Sequence, residues 1–231
     1  MKNLKILIKN EVRIYLSDTT ELTNNLIKTH KTKPLASRTL GTAAGLFSTF
    51  GLMRKEIYTS VNIKGDGPLK NIIVESNPDG GIRALIGNPF VQTEYDQDID
   101  KANTIPISLG VGSNGVMNVV NRIENIGSKI SNFGGMVNLV SGNITLDLAF
   151  YFDQSEQTFS AVDSFTLLKN ANNAKSTINV IFQMMPKHKK EDIIFVEKFI
   201  KNHSLKKVSF NKYLNELIKE GAELKDERKI F

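Results

Sequence analysis

Residues 58–89, YTSVNIKGDGPLKNIIVESNPDGGIRALIGNP, decide how this chain is read. Ile57, Thr59, Val61 and Ile63 alternate with Tyr58, Ser60, Asn62 and Lys64, the period-2 pattern of a strand with one buried face. Gly65-Asp66-Gly67-Pro68 then stops it, with two glycines free to take positive φ and a proline whose ring fixes φ near −65°. Asn71 to Glu75 is a second strand, Asn77 to Gly81 a second turn, and Ile82 to Ile86 a third strand closed by Gly87-Asn88-Pro89. Strands this close in sequence pair as an antiparallel meander. No catalytic constellation lies within it.

Composition sets the limits. The 231 residues are 40% apolar, enough to bury a core in one or two domains. A net charge of +6 attracts acidic partners weakly, but the 30 basic and 24 acidic residues are interspersed without a dense basic block. Lysine supplies most of the positive charge, so the bidentate arginine contacts that read bases are scarce, and no specific nucleic-acid partner is expected. With no cysteine there is no disulfide, no thiolate metal site and no thiol nucleophile. The opening MKNLKILIKNEVRIYL is too charged for a signal peptide, and no run approaches the roughly 18 apolar residues of a membrane span. The expected setting is soluble and cytoplasmic, with no membrane contact.

Upstream of the meander, Leu4 to Ile8 and Val12 to Leu16 read as the first strands. Asp18 or Thr19 caps a helix from Thr20 to about Thr29, with Leu22 and Leu26 one turn apart. Pro34 suits a first helical turn, and 35–53 reads as a second helix with an inward face of Leu35, Thr39, Ala43, Leu46 or Phe47, and Phe50. Its Gly41, Ala44, Gly45 and Ser48 permit close backbone approach. Arg38, Arg54 and the many hydroxyls speak for a packed core helix against a membrane helix.

Downstream, Val91 to Asn103 is polar, a loop or edge. Ile105 to Leu109 and Val116 to Ile123 read as a hairpin around Gly110-Val111-Gly112-Ser113-Asn114-Gly115. That hexapeptide matches G-x-G-x-x-G, but the dinucleotide fingerprint needs a following helix whose amides meet pyrophosphate, and a strand follows here. A tight hairpin explains the glycines better. Gly135 to Val140 is another strand, and Asn143 to Asp153 a helix with Leu146, Ala149 and Phe150 on one face. Ser155-Glu156-Gln157, with no histidine nearby, caps that helix rather than forming a catalytic set. Phe159 to Leu168 and Thr177 to Met184 are the last strands, and Pro186 closes the compact part.

The remainder changes character. After KHKK at 187–190, Glu191 to Asn202 is an amphipathic helix with Ile193, Ile194, Val196, Phe199 and Ile200 apolar. Phe210 to Glu220 is a second, with Phe210, Leu214, Leu217 and Ile218 spaced for one face, Gly221 as its C-cap and a mostly charged tail after it. Such helices must cover something: their own domain, a second subunit or a client. His30, His188 and His203 form no ligand pair on one helix face, and no phosphate loop or acid–base carboxylate pair is present. From the residues themselves the reading is an α+β domain with an amphipathic helical tail.

The segment IKGDGPLKNIIVESNPDGGIRALIGNP resembles the one that typifies the heat-shock protein 33 family, redox-regulated holdase chaperones of the bacterial cytoplasm. Gly135 to Val140 with Ser141-Gly142, YFDQSEQ from Tyr151 to Gln157, IFQMMP from Ile181 to Pro186, and Pro34-Leu35-Ala36-Ser37 agree in order and spacing. The resemblance covers roughly Leu4 to Pro186. It implies a mostly antiparallel β core with packed helices, and structural motif roles for Gly65, Asp66, Gly67, Pro68, Ser155, Glu156, Gln157, Gln183 and Pro186. It also implies an ATP-independent holdase that binds unfolded proteins and associates as a homodimer.

The departures lie at the C-terminal end. Family members carry a module in which Cys-x-Cys and Cys-x-x-Cys bind zinc until oxidation releases it, unfolding the module and linker and exposing the client surface. Here every cysteine is missing, so neither zinc nor another cofactor is expected. Residues 1–186 correspond to the chaperone core, 187–209 to a shortened linker and 210–231 to a vestigial module. Ile193, Ile194, Phe199, Leu214 and Leu217 are the candidate client surface or its cover. The expected function is a holdase not switched by cysteine oxidation. The alternative is a non-catalytic interaction module, and a cryptic enzyme has no residue set behind it.

Overall fold

The computed structural model describes residues 2–123 and 131–231. The chain opens with β1 (Leu4–Lys9) and β2 (Val12–Asp18), turned back at Asn10, whose positive φ of 49° is one that asparagine tolerates. Helices α1 (Thr20–His30) and α2 (Pro34–Gly51) follow, then the meander β3 (Ile57–Gly65), β4 (Asn71–Ser76) and β5 (Ile82–Ile86). Two short helices, α3 (Ile99–Ala102) and α4 (Ser108–Val111), lead to β6 (Gly115–Ile123) and β7 (Ser131–Asn138). Helix α5 (Ile144–Gln154), β8 (Ser160–Asn170) and β9 (Asn173–Met184) come next. The chain finishes with α6 (Lys190–Asn202), α7 (Phe210–Lys219) and β10 (Glu223–Arg228).

The strands form two five-stranded sheets, ordered β10-β1-β2-β9-β8 and β5-β4-β3-β6-β7. All their pairings are antiparallel. The α+β expectation holds, and so does the meander.

Helix α2 lies between the sheets. A single inward face was expected, but every residue from Pro34 to Gly51 is buried, because a helix with apolar and small residues all round has no side suited to water. Its glycines set the approach distance. A β-carbon at Gly45 would lie 2.5 Å from Asn179 Nδ2 in the first sheet, and one at Gly51 would overlap Ser76 Oγ in the second. The hydroxyls of the helix are taken up within it and by the strands beside it: Thr39 Oγ1 donates to Leu35 O at 2.8 Å, and Thr49 Oγ1 lies 2.7 Å from Ser17 Oγ of β2. Arg38 is buried, donates to Ala102 O at 2.8 Å, and has its pKa lowered by that burial to about 10. Leu40, Leu46, Phe47 and Phe50 of α2 meet Val61, Val74 and Val119 of the second sheet and Tyr15 and Ile181 of the first in one core cluster.

Three expectations are corrected. Residues 105–109 form no strand; after Pro106 the chain turns into α4, and Gly110 packs so closely on Leu69 that a β-carbon would overlap its Cδ1. The glycine run 110–115 is therefore a helix exit, with Gly112 at φ +83°, rather than a hairpin. The rejected dinucleotide fingerprint stays rejected, since β6 follows it. On α5 the buried side chains are Ile144, Asp147, Leu148, Tyr151 and Phe152, while Leu146 is exposed. Finally, the charged tail contains β10, which adds to β1 from Leu4↔Arg228 to Ile8↔Glu223. Beyond it, Phe231 N donates to Gly80 O and Ile82 N to Phe231 O, both at 2.9 Å, so the same segment reaches the β5 edge of the second sheet. Among the described residues no helix is long and apolar enough to cross a membrane.

Candidate client surface and its cover

The first sheet alternates side chains cleanly. Tyr15 and Ile181 point to the core around α2, which leaves Val12, Ile14 and Leu16 of β2 and Ile178, Val180, Phe182 and Met184 of β9 on the outer face. Left bare, that face would be a contiguous apolar patch. Helices α6 and α7 lie on it and contribute Val196, Phe199, Phe210, Tyr213 and Leu217 to a second buried cluster. Phe199 is the hub: its ring centroid lies 6.2 Å from Phe182, 5.3 Å from Tyr213 in an edge-on arrangement, and 4.2 Å from the stacked His203 ring.

Each helix is started locally. The buried Asp192 accepts from Lys189 N at 2.8 Å, and Ser209 Oγ accepts from Lys212 N at 3.4 Å, satisfying first-turn amides. Of the five cover residues expected from sequence, Phe199 and Leu217 are buried, Ile193 and Leu214 are half-buried, and Ile194 is exposed. Ile218, assigned to the apolar face of α7, also faces solvent, and Tyr213 takes the inward position instead. The Tyr213 hydroxyl is buried with no hydrogen-bond partner among the described residues, and burial pushes its pKa up. Asp163 of β8 stands near it under the helices; burial raises its carboxyl pKa, partly opposed by the Ser164 amide and by Lys206.

The motif residues sit elsewhere and in different surroundings. Gly65 and Gly67 were expected to take positive φ, yet neither does; the positive angle in that turn belongs to Lys70, φ 67°. Both glycines are required by close approach. A β-carbon at Gly65 would overlap the Val111 carbonyl oxygen, and one at Gly67 would lie 2.5 Å from the Val111 carbonyl carbon. Gly67 N donates to Val111 O at 2.9 Å, Asn114 N to Asp66 Oδ1 at 3.2 Å, and Asn88 Nδ2 to Pro68 O at 3.2 Å. Ser155 caps α5, Gln157 has φ +50°, and Glu156 pairs with Arg54 and accepts from Tyr151 Oη at 3.3 Å. Gln183 pairs in register with Arg13 and Ser160, and Pro186 follows Met185, whose amide donates to Glu11 O.

The family model described as Hsp33 protein matches residues 3–230. The chain belongs to the Hsp33 family. It is 33% identical to the 33 kDa chaperonin of Clostridium tetani and 34% to that of Clostridium beijerinckii, over 76% of its own length in both cases. It spans 58% of the length of those two relatives. The crystal structure of the 33 kDa chaperonin (heat shock protein 33 homolog) from Thermotoga maritima superposes with a TM-score of 0.81 at 23% identity, covering 100% of this chain and 80% of that one, a likeness of fold.

The zinc that Hsp33 resemblance implies is held by four thiolates, and this chain has no cysteine to supply them. The three histidines each bond a backbone carbonyl: His30 to Ala84, His188 to Met185 and His203 to Phe199. Among the described residues no group of three or more histidine, aspartate or glutamate side chains is placed to hold a metal ion. The residues present do not fit the family's zinc.

Proposed function

We propose that this Hsp33-family chain is an ATP-independent holdase that binds unfolded or aggregation-prone proteins in the cytoplasm, and that cysteine oxidation does not switch it. One observation carries the reading: the family model matches residues 3–230 of a chain without a thiol. In this reading residues 1–186 are the chaperone core, 187–209 the shortened linker and 210–231 the former switch module. Ile193, Ile194, Phe199, Leu214 and Leu217 belong to the client surface or to its cover. Local opening of α6 and α7 is the gate, because short helices held by side-chain packing open at a cost below global unfolding. Clients are unfolded polypeptides, and the working form is a homodimer.

The test is aggregation of a thermally unfolded client, followed by light scattering without nucleotide and with or without peroxide. Suppression in both conditions supports the holdase. No suppression in either condition leaves the alternative, a non-catalytic interaction module on the same fold. Sedimentation showing only monomer across micromolar concentrations, with holding intact, would remove the dimer. Truncation at 187 is a poor probe of the gate, since it also strips β10 from β1.

A further inference from the structure

Helix α7 runs almost directly into the strand that closes the first sheet. Its last turn is sealed by Gly221 N donating to Ile218 O at 2.9 Å and Ala222 N to Leu217 O at 3.0 Å, with Gly221 at φ +91°. Strand β10 begins at the next residue, with Glu223 opposite Ile8. Lys9 Nζ donates to Glu220 O across that joint, so the end of the helix and the start of the strand are both pinned to β1.

From there residues 223–231 cross the molecule. Lys5 forms a partly buried ion pair with Glu227, which stands directly opposite it in the ladder. Arg228 donates to the carbonyl of Leu52, the residue after α2. Asn3 clamps Ile230 on both sides, accepting from its amide at 2.8 Å and donating to its carbonyl at 3.2 Å. Phe231 then makes its backbone bonds to Gly80 and Ile82 at the second sheet. The hold is long but shallow. Within the described segment 223–231 only Ile230 is buried, and the register skips Lys225 between Ile6 and Leu7. An edge strand held in this way detaches at a cost below global unfolding.

The zinc that family resemblance implies as the fastener of this module has no thiolate ligands in this chain. We propose that residues 223–231 are the fastener in its place, a clip whose release from β1 is the step that frees α7 and opens the cover. The proposal rests on the reading of α6 and α7 as a gate, and it names what holds that gate shut. While β10 is paired, the C-terminal end of α7 cannot leave the first sheet. Once β10 peels away, α7 is held by the packing of Phe210, Tyr213 and Leu217.

The experiment is native-state hydrogen exchange of the full chain, read by mass spectrometry over α7, β10 and, as the reporter of global opening, β3. In the wild-type chain α7 and β10 are expected to exchange together and faster than β3. Glu227→Lys sets a like charge opposite Lys5 and is expected to accelerate β10 and α7 by the same factor, about three- to tenfold. Combining it with Lys5→Glu restores the pair with its signs exchanged and is expected to return both segments to within about twofold of wild type. Three results would each overturn the clip: α7 at its wild-type rate in Glu227→Lys, α7 and β10 exchanging only with β3 in the wild-type chain, or a double variant as fast as the single one. Client aggregation measured on the same variants separates the clip from the gate it rests on. Faster α7 exchange with no gain in suppression at low temperature keeps the clip and removes the helices as the gate. Suppression that rises while α7 exchanges as in wild type keeps the gate and removes the clip.

Discussion

Gly67 donates its amide to the Val111 carbonyl oxygen at 2.9 Å, and that contact fastens the first turn of the meander to the exit of α4. The space for it exists because Gly65 and Gly67 lack β-carbons. Gly65→Val or Gly67→Val is expected to lower stability by about 1–3 kcal/mol through overpacking against backbone. Thermal melts followed by circular dichroism test this; an unchanged midpoint in both variants would show that the approach is not what selects glycine.

Asp163 under the helical cover gives a pH signature. Burial raises its folded-state pKa above the unfolded value, with Lys206 opposing. Its stabilising contribution is therefore complete below the unfolded pKa and lost as pH rises through the folded one. Asp163→Asn is expected to melt higher than wild type near about pH 7, with the gap closing towards about pH 4. A gap that stays constant across that window would exclude this carboxyl as the source.

Phe199 and Leu217 test the cover. Phe199→Ala is expected to cost about 3–5 kcal/mol and Leu217→Ala about 2–5 kcal/mol, since both side chains are buried where collapse is limited. The loss falls on α6 and α7, so binding of a hydrophobic dye should rise at temperatures where far-ultraviolet dichroism is unchanged. Holding at low temperature should rise with it. Holding that disappears instead would make these helices part of the client site.

Chelation and oxidation should leave the protein unmoved. Without cysteine there is no thiolate zinc to remove and no disulfide to form. Elemental analysis is expected to find no stoichiometric zinc, and melting temperature and client holding should be unaltered by chelator or peroxide. One tightly held zinc per chain would sink this.

Much of the fold was legible because it follows simple periods. The strands Ile57–Gly65, Asn71–Ser76 and Ile82–Ile86 each put apolar residues on one face, and Pro34 marked the start of α2. The failures have physical causes. Strand β10 reads as ELKDER, with no apolar alternation, because an edge strand pairs through its backbone while its side chains stay in water. Ile105 to Leu109 looked like a strand because short apolar runs do not separate strand from helix. Tyr213 was passed over on α7 because a tyrosine hydroxyl normally argues for the surface, yet here it is fully buried. The outer face of the second sheet was half visible in the alternation from Tyr58 to Lys64. That Leu85, Ile73 and Met136 share one row required the register of all five strands.

The pairing of β1 with β10 joins residues that lie more than two hundred positions apart, as the ion pair of Lys5 with Glu227 shows by its separation of 222. On the ribosome β1 and β2 emerge before β10, and the partner that closes their edge arrives only after the elements between have been made. Throughout that interval β1 offers an unpaired ladder with Leu4, Ile6 and Leu7 beside it. Closure of a contact so distant in sequence carries a loop-entropy cost that the neighbouring hairpins do not. A protein proposed to shield others from aggregation therefore passes through its own vulnerable window during synthesis, and Glu223–Arg228 is the segment that ends it.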